Sequence, residues 1–247
     1  MYELTLSADD ARCKWLSYVD KRLSVAAEKV HGLRVSATIG SRHKVSFVCG
    51  DVYAEQFREE ARQALCDVLA VGCKNEFLHD CFSHLPQSLA SRTLVDAMCI
   101  FDAAADKKYL TDRLVLTAET CIDGCCDFRL KPLKRKWREA ADLIKRHDAV
   151  IKDDEISTEF LRYLLGELPS SVGALSVVFC GCKTVLFDSQ NHVLPSVDTV
   201  VQVDAYEEAM FNALCLNPSK VIVYGDGSEG CTEFVSLCKR VFPTEIR

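Results

Sequence analysis

The apolar residues of this 247-residue chain change period several times, and each change dictates a different kind of element. YELTL, residues 2–6, alternates as a strand does, and Ser7 with Asp10 resembles a capping box at a helix start. Leu16, Val19, Leu23, Ala26 and Val30 recur at helical spacing, which predicts an amphipathic helix over about residues 9–30. Alternation returns in Leu33, Val35, Ala37 and Ile39 and again in Val45, Phe47 and Cys49, with the polar Gly40 to His43 segment as the turn of a hairpin. From Ala54 the helical period resumes through Phe57, Ala61, Leu65 and Val68, with Glu55, Arg58, Glu59 and Arg62 largely opposite. The opening therefore reads β-α-β-β-α.

Helical spacing dominates the middle. Phe77, Cys81 and Leu85 extend an apolar stripe to Pro86, and Leu94, Met98 and Phe101 mark further helix. After the polar Asp106, Lys107 and Lys108, the residues Leu110, Leu114, Ala118, Cys121 and Cys125 predict another helix. Leu130, Leu133, Trp137, Ala141 and Ile144 predict one more, with Pro132 in its first turn, where a missing amide proton costs little. Asp153, Asp154 and Glu155 precede STEFLRYLLGEL, where negative charge suits a helix N-terminus. Beyond Pro169 the period changes once more. ALSVVF and TVLFD read as strands, HVL as a possible third, YEEAMFNALCLNP and CTEFVSLCKRVF as helices, VIVY as a strand and TEIR as a possible frayed strand. The expectation is an α+β protein with a helical central region and small strand-containing N- and C-terminal portions. Its boundaries fall near residues 107 and 169, giving regions 1–107, 108–168 and 169–247.

Composition enters as a set of exclusions. A chain that is 49% hydrophobic has ample material for a core, so disorder is not expected. Its longest apolar runs are far shorter than the roughly 20 residues that cross a bilayer. MYELTLSADDARCKW lacks the basic-then-apolar order of a secretory signal, so a soluble, cytoplasmic protein is expected. Fourteen cysteines scattered through such a chain read as reduced thiols packed in a core rather than as a disulfide scaffold. The formal net charge of −6 argues against a surface that binds nucleic acid throughout.

Four local patterns carry possible chemistry. VIVYGDGSEGCTEF sets Gly225, Gly227 and Gly230 between an apolar run and a helical stretch. A dinucleotide site would need a second parallel strand after that turn, with an acidic residue about 20 positions on. Only 17 residues follow Gly230, Glu245 has no strand worth the name to carry it, and Asp226 and Glu229 would repel a phosphate. A surface turn, with no cofactor, is the expectation. In CIDGCC, Cys121 and Cys125 continue an apolar stripe, and no second CxxC or histidine pair completes four ligands, so core packing is preferred to zinc. A remote pairing of Cys180 or Cys182 with them stays open. His79, Cys81 and His84 diverge around a helix and do not converge on one ion. RLKPLKRKWR concentrates Arg129, Lys131, Lys134, Arg135, Lys136 and Arg138 within ten residues. These can hold an anion, a partner or the phosphates of nucleic acid, although no aromatic stacking platform accompanies them. GxSxG, GxxxxGK[ST] and HExxH motifs are missing, which lowers the expectation of catalysis without removing a site assembled from distant segments.

DGCCDFRLKPLKRKWREAADLI resembles the segment around Phe, Arg and Leu in the YtxC-like sporulation proteins of endospore-forming bacteria. EFLRYLLGEL, the stretch through TVLFD, YEEAMFNALCLNPSKVIVYG and VSLCKRVFPTEI follow in that family's order, over about residues 108–247. Phe128, Arg129 and Leu130 match its motif most closely. Phe128 and Leu130 are expected to pack, and Arg129 to pair with an acid or to hold carbonyls at a helix end. The resemblance implies a process, sporulation, and a cytoplasmic protein; it supplies no catalytic residue, metal or cofactor. The leading expectation is a non-enzymatic protein that binds another protein, with nucleic-acid binding through residues 129–138 and a cryptic enzyme as alternatives.

Overall fold

The computed structural model describes residues 1–83, 88–146, 154–181, 183–194, 204–225 and 227–247; His84, Leu85, Pro86, Asp153, Cys182 and Asp226 lie outside them. The chain forms two compact units, residues 1–76 with 103–137 and residues 77–102 with 138–247. Each unit is discontinuous in sequence, which linear boundaries near 107 and 169 have no means of expressing. An α+β fold with mixed sheets is the result.

In the first unit, β1 (Tyr2–Asp9) pairs antiparallel with β3 (Arg42–Cys49), and β3 pairs antiparallel with β2 (Leu33–Ile39). The β2–β3 turn is only Gly40 and Ser41, and Gly40 at φ 61° adopts the positive φ that a type II′ turn needs at its first central residue. Because β1 runs on to Asp9, Ser7 lies within the strand. Asp9 is the cap, its Oδ1 accepting the Arg12 amide at 3.0 Å. Helix α1 (Cys13–Lys29) and helix α2 (Ala54–Asp67) follow at the positions their periodicity predicts. Leu4 and Leu6 of β1, Phe47 of β3, Trp15, Val19 and Leu23 of α1, and Phe57 and Leu65 of α2 are buried. Each contributes on the order of 1.5–3 kcal/mol of transfer free energy.

A π-helical turn, Val68–Gly72, leads from α2 into α3 (Cys73–Cys81), and α4 (Leu89–Phe101) and α5 (Ala103–Thr111) follow. The helix expected to run from Leu110 through Cys125 does not form. Leu114 to Ala118 is irregular, and Glu119–Cys121 is strand β4, paired parallel with β1 in the register Thr5↔Glu119. The Thr5 amide donates to the Ala118 carbonyl at 2.7 Å. A pairing partner in the first strand overrides the helical spacing, helped by the β-branched Val115, Thr117 and Thr120. The chain then turns through α6 (Ile122–Gly124) and a second π-helical turn, Cys125–Arg129, into α7 (Lys131–Arg146). Cys73 and Cys126 are paired as a disulfide, with a Cα separation of 6.4 Å.

The second unit holds α8 (Asp154–Gly166), β5 (Ala174–Cys180), β6 (Lys183–Phe187), β7 (Val193–Leu194), α9 (Ala205–Leu216), β8 (Lys220–Tyr224), α10 (Glu229–Val241) and β9 (Thr244–Ile246). Its sheet order is β7-β6-β5-β8-β9, with β5–β8 and β8–β9 parallel and the other pairs antiparallel. TEIR is therefore not merely frayed, since Thr244 to Ile246 complete a βαβ unit with β8 and α10. Leu175, Val177 and Phe179 of β5 and Val221 and Val223 of β8 meet Met210 and Leu214 of α9, Phe234 and Leu237 of α10, Leu161 of α8, and Leu89 and Leu94 of α4 in one buried cluster.

Candidate partner-binding site

Arg129 ends the second π-helical turn, and its Nη1 donates to the Val115 carbonyl at 2.8 Å. The carbonyl belongs to the irregular segment after α5 rather than to a helix end. Arg113, at the start of that segment, lays its guanidinium over the Tyr109 ring at 4.2 Å. Arg113, Arg129, Leu69, Tyr109, Leu110, Leu114 and Val115 line an open cleft of about 400 Å³. Leu69, Leu110 and Leu114 are buried and make its apolar floor, whereas Val115 is 67% exposed at the rim. Leu69 comes from the first π-helical turn and Arg129 from the second, and the Cys73–Cys126 disulfide links the second turn to the residue that follows the first. Such turns occur frequently at functional sites, because the extra residue re-aims side chains without ending the helix.

Around the cleft the motif residues separate. Leu130 is fully buried, as expected of a packing residue, but Phe128 is 71% exposed and does not pack. Cys125 and Cys126 fill the buried positions beside it, and the π-helical turn carries Phe128 outward. Lys131 is exposed, its ammonium 6.0 Å from the Phe128 ring centre. Lys134 is half-buried and faces Asp127 at 3.9 Å. Asp127 also accepts both terminal nitrogens of Arg12 at 3.1 Å, and those hydrogen bonds hold its carboxyl below the usual carboxylate range. Arg135 is exposed, and the exposed Arg138 stacks its guanidinium 5.1 Å from the Phe77 ring centre. Lys136 turns to Asp106 at 2.9 Å.

Asp106 is the functional-looking group that sequence reasoning passed over. It is 1% exposed and accepts from Trp137 Nε1 at 2.8 Å, Lys136 Nζ at 2.9 Å and Lys74 Nζ at 3.3 Å. The Lys74 side chain is itself only 4% exposed. Paired and hydrogen-bonded in this way, the carboxylate braces the helices around the cleft floor and has no opening to a reactant.

The glycine pattern finds a structural explanation. A Cβ on Gly230 would stand 2.4 Å from the Tyr206 ring, so the close approach of α10 to α9 demands glycine there. Gly227 takes a positive φ of 76° in the turn. Ser228 caps α10, accepting the Cys231 amide at 3.1 Å while its hydroxyl meets Tyr206 Oη at 2.6 Å. Ser228 thus satisfies one amide of that helix N-terminus. Glu245 does lie on a parallel strand, but its carboxylate is held by Lys220 at 2.5 Å and Arg247 at 2.7 Å.

Among the described residues no three His, Cys, Asp or Glu side chains are grouped so as to hold a metal ion. Cys121 lies in β4, where its Sγ accepts from Arg42 Nη1 at 3.1 Å and from the Gly124 amide at 3.5 Å; it is not on a helical stripe with Cys125. Among the described residues no helix is long and apolar enough to cross a membrane. Comparisons with protein-family models, curated proteins and solved structures returned no match.

Proposed function

We propose that this chain is a cytoplasmic, YtxC-like sporulation protein that acts by binding another protein rather than by catalysis, and that it receives a partner segment in the cleft beside Arg129. The observation that carries this reading is the combination in one cleft of an apolar floor, Leu69, Leu110 and Leu114, with two exposed guanidinium groups, Arg113 and Arg129. An apolar side chain next to an aspartate, a glutamate or a C-terminal carboxylate complements both features. The sporulation assignment rests on the ordered resemblance of residues 108–247 and on Phe128, Arg129 and Leu130 within it.

Nucleic-acid binding has weaker support. Within the basic segment Lys134 and Lys136 face carboxylates, which neutralise part of its positive charge.

Affinity capture of the tagged protein from sporulating cells, at low and high salt and with nuclease, tests the proposal. A defined protein should survive salt and nuclease and be lost when Val115→Asp and Arg113→Glu alter the exposed rim. Recovery of nucleic acid that disappears at high salt and with Lys134→Ala, Arg135→Ala and Arg138→Ala together would overturn it.

A further inference from the structure

Strand β2 lies at the edge of its sheet, and all seven of its residues are exposed. Leu33, Val35 and Ile39 are 69%, 62% and 66% exposed, and with Ala37 they form an apolar row along one face of the strand. Edge strands in natural proteins are normally blunted by proline, lysine, a bulge or a covering element. LRVSATI has no proline, lysine or acidic residue, and its register with β3 is unbroken from Leu33↔Val48 to Ile39↔Arg42. Its one charge, Arg34, is already neutralised within the chain by Asp20, with Nε donating to Oδ1 at 2.6 Å and Nη2 donating to Oδ2.

The direction of each backbone group follows from the turn. In a two-residue hairpin the flanking pair, here Ile39 and Arg42, exchanges both hydrogen bonds, so Leu33, Val35, Ala37 and Ile39 bond to β3. The next ladder agrees in phase, because Thr5 donates towards β4 while its neighbours on β1 bond β3. Arg34, Ser36 and Thr38 consequently direct their amide and carbonyl groups out of the sheet edge.

We infer that two copies of this chain pair antiparallel through β2, about a two-fold axis at Ser36, to make one continuous sheet. In that register the outward groups of Ser36 bond Ser36 of the second copy, and Arg34 bonds Thr38 of the second copy. The pairs between these are non-hydrogen-bonded, with side chains at closest approach. They set Leu33 against Ile39 of the second copy and Val35 against Ala37, so every apolar residue meets an apolar one. No like charges face each other across the axis, since Arg34 opposes a threonine. The strand is complementary to itself in hydrogen bonding, apolar pattern and charge, as an isologous interface requires. This is what favours a second copy over a foreign strand. The inference does not depend on the cleft beside Arg129.

Strand pairing of this length makes a small interface, so sedimentation velocity should be run on the full chain up to about 300 µM. The mass should rise from the monomer's 27.6 kDa towards twice that value with concentration. Ser36→Pro removes an outward amide without touching the β3 ladder, and Val35→Lys places charge in the apolar row. Each, folded by circular dichroism, should remain monomeric. Amide exchange read by NMR on the unmodified chain gives a second test that needs no variant. Exchange at Arg34, Ser36 and Thr38 should slow at least tenfold between dilute and concentrated samples, while the amides of Val35 and Ala37 stay constant. A wild-type chain that is monomeric throughout, a dimer that survives either folded substitution, or outward amides indifferent to concentration would each overturn the pairing.

Discussion

Taking the carboxylate from Asp106 would remove the anion that faces the Lys74 ammonium in a place where the lysine side chain is 4% exposed. Breaking one side of a buried pair usually costs about 3–5 kcal/mol, because the remaining charge loses its compensation. Asp106→Ala should lower the stability read by urea unfolding by that amount. Glu55→Ala, which removes the exposed partner of Arg58, should change it by less than about 1 kcal/mol. Asp106 reads in the sequence as one of three polar residues in DKK, followed by solvent-facing lysines. Nothing in its local pattern reports that Lys74, Lys136 and Trp137 converge on it from elsewhere in the chain. Phe128 errs in the opposite direction. Its type predicts burial, yet a π-helical turn spends the buried positions on Cys125 and Cys126 instead.

Strand β9 carries one carboxylate with two cationic partners. Glu245 bonds Lys220 of β8 and Arg247 of its own segment, and these hydrogen bonds bring its pKa down to about 2. An unfolded glutamate titrates near ~4.3, so the folded form binds the proton less readily than the unfolded one. The contribution is therefore complete above ~4.3 and is lost as the pH falls towards 2. An NMR titration should place the Glu245 carboxyl near 2, and Glu245→Gln should remove the acid-dependent fraying of β9 between those limits. Added salt should weaken the effect, because the group is exposed. Elements with long, regular periods were legible beforehand: α1, α2, the β2–β3 hairpin, β5, β8 and α10 all fall where alternation or helical spacing puts them. Strand β4 was not, and β9 showed only as a frayed strand in TEIR. Each is three residues long, too short for a period to declare itself, and each exists because a distant or preceding strand offers an edge. The cleft beside Arg129 was half legible: the basic motif named its arginine, but its floor comes from Leu69 and Leu110, which only the fold brings to the same place.

The two units exchange the chain at residues 76–77, 102–103 and 137–138, so no single cut separates them. Residues 138–247 contain the whole five-stranded sheet but lack α4, whose Leu89, Ala90, Leu94 and Ala97 belong to the second unit's buried cluster. That fragment alone should unfold at lower urea, or without a cooperative transition, compared with the same fragment joined by a flexible linker to residues 77–102. Equal midpoints would show that α4 is dispensable there. The same interleaving sets a clock on biosynthesis. Strand β1 is made before β4, the segment that closes its open side by pairing Thr5 with Glu119, by more than a hundred residues. At ordinary translation rates of ~5–20 residues per second the nascent chain carries that unpaired edge for on the order of ten seconds. Through that interval the row of unpaired amides and carbonyls along β1 is open to pairing with any other strand it meets.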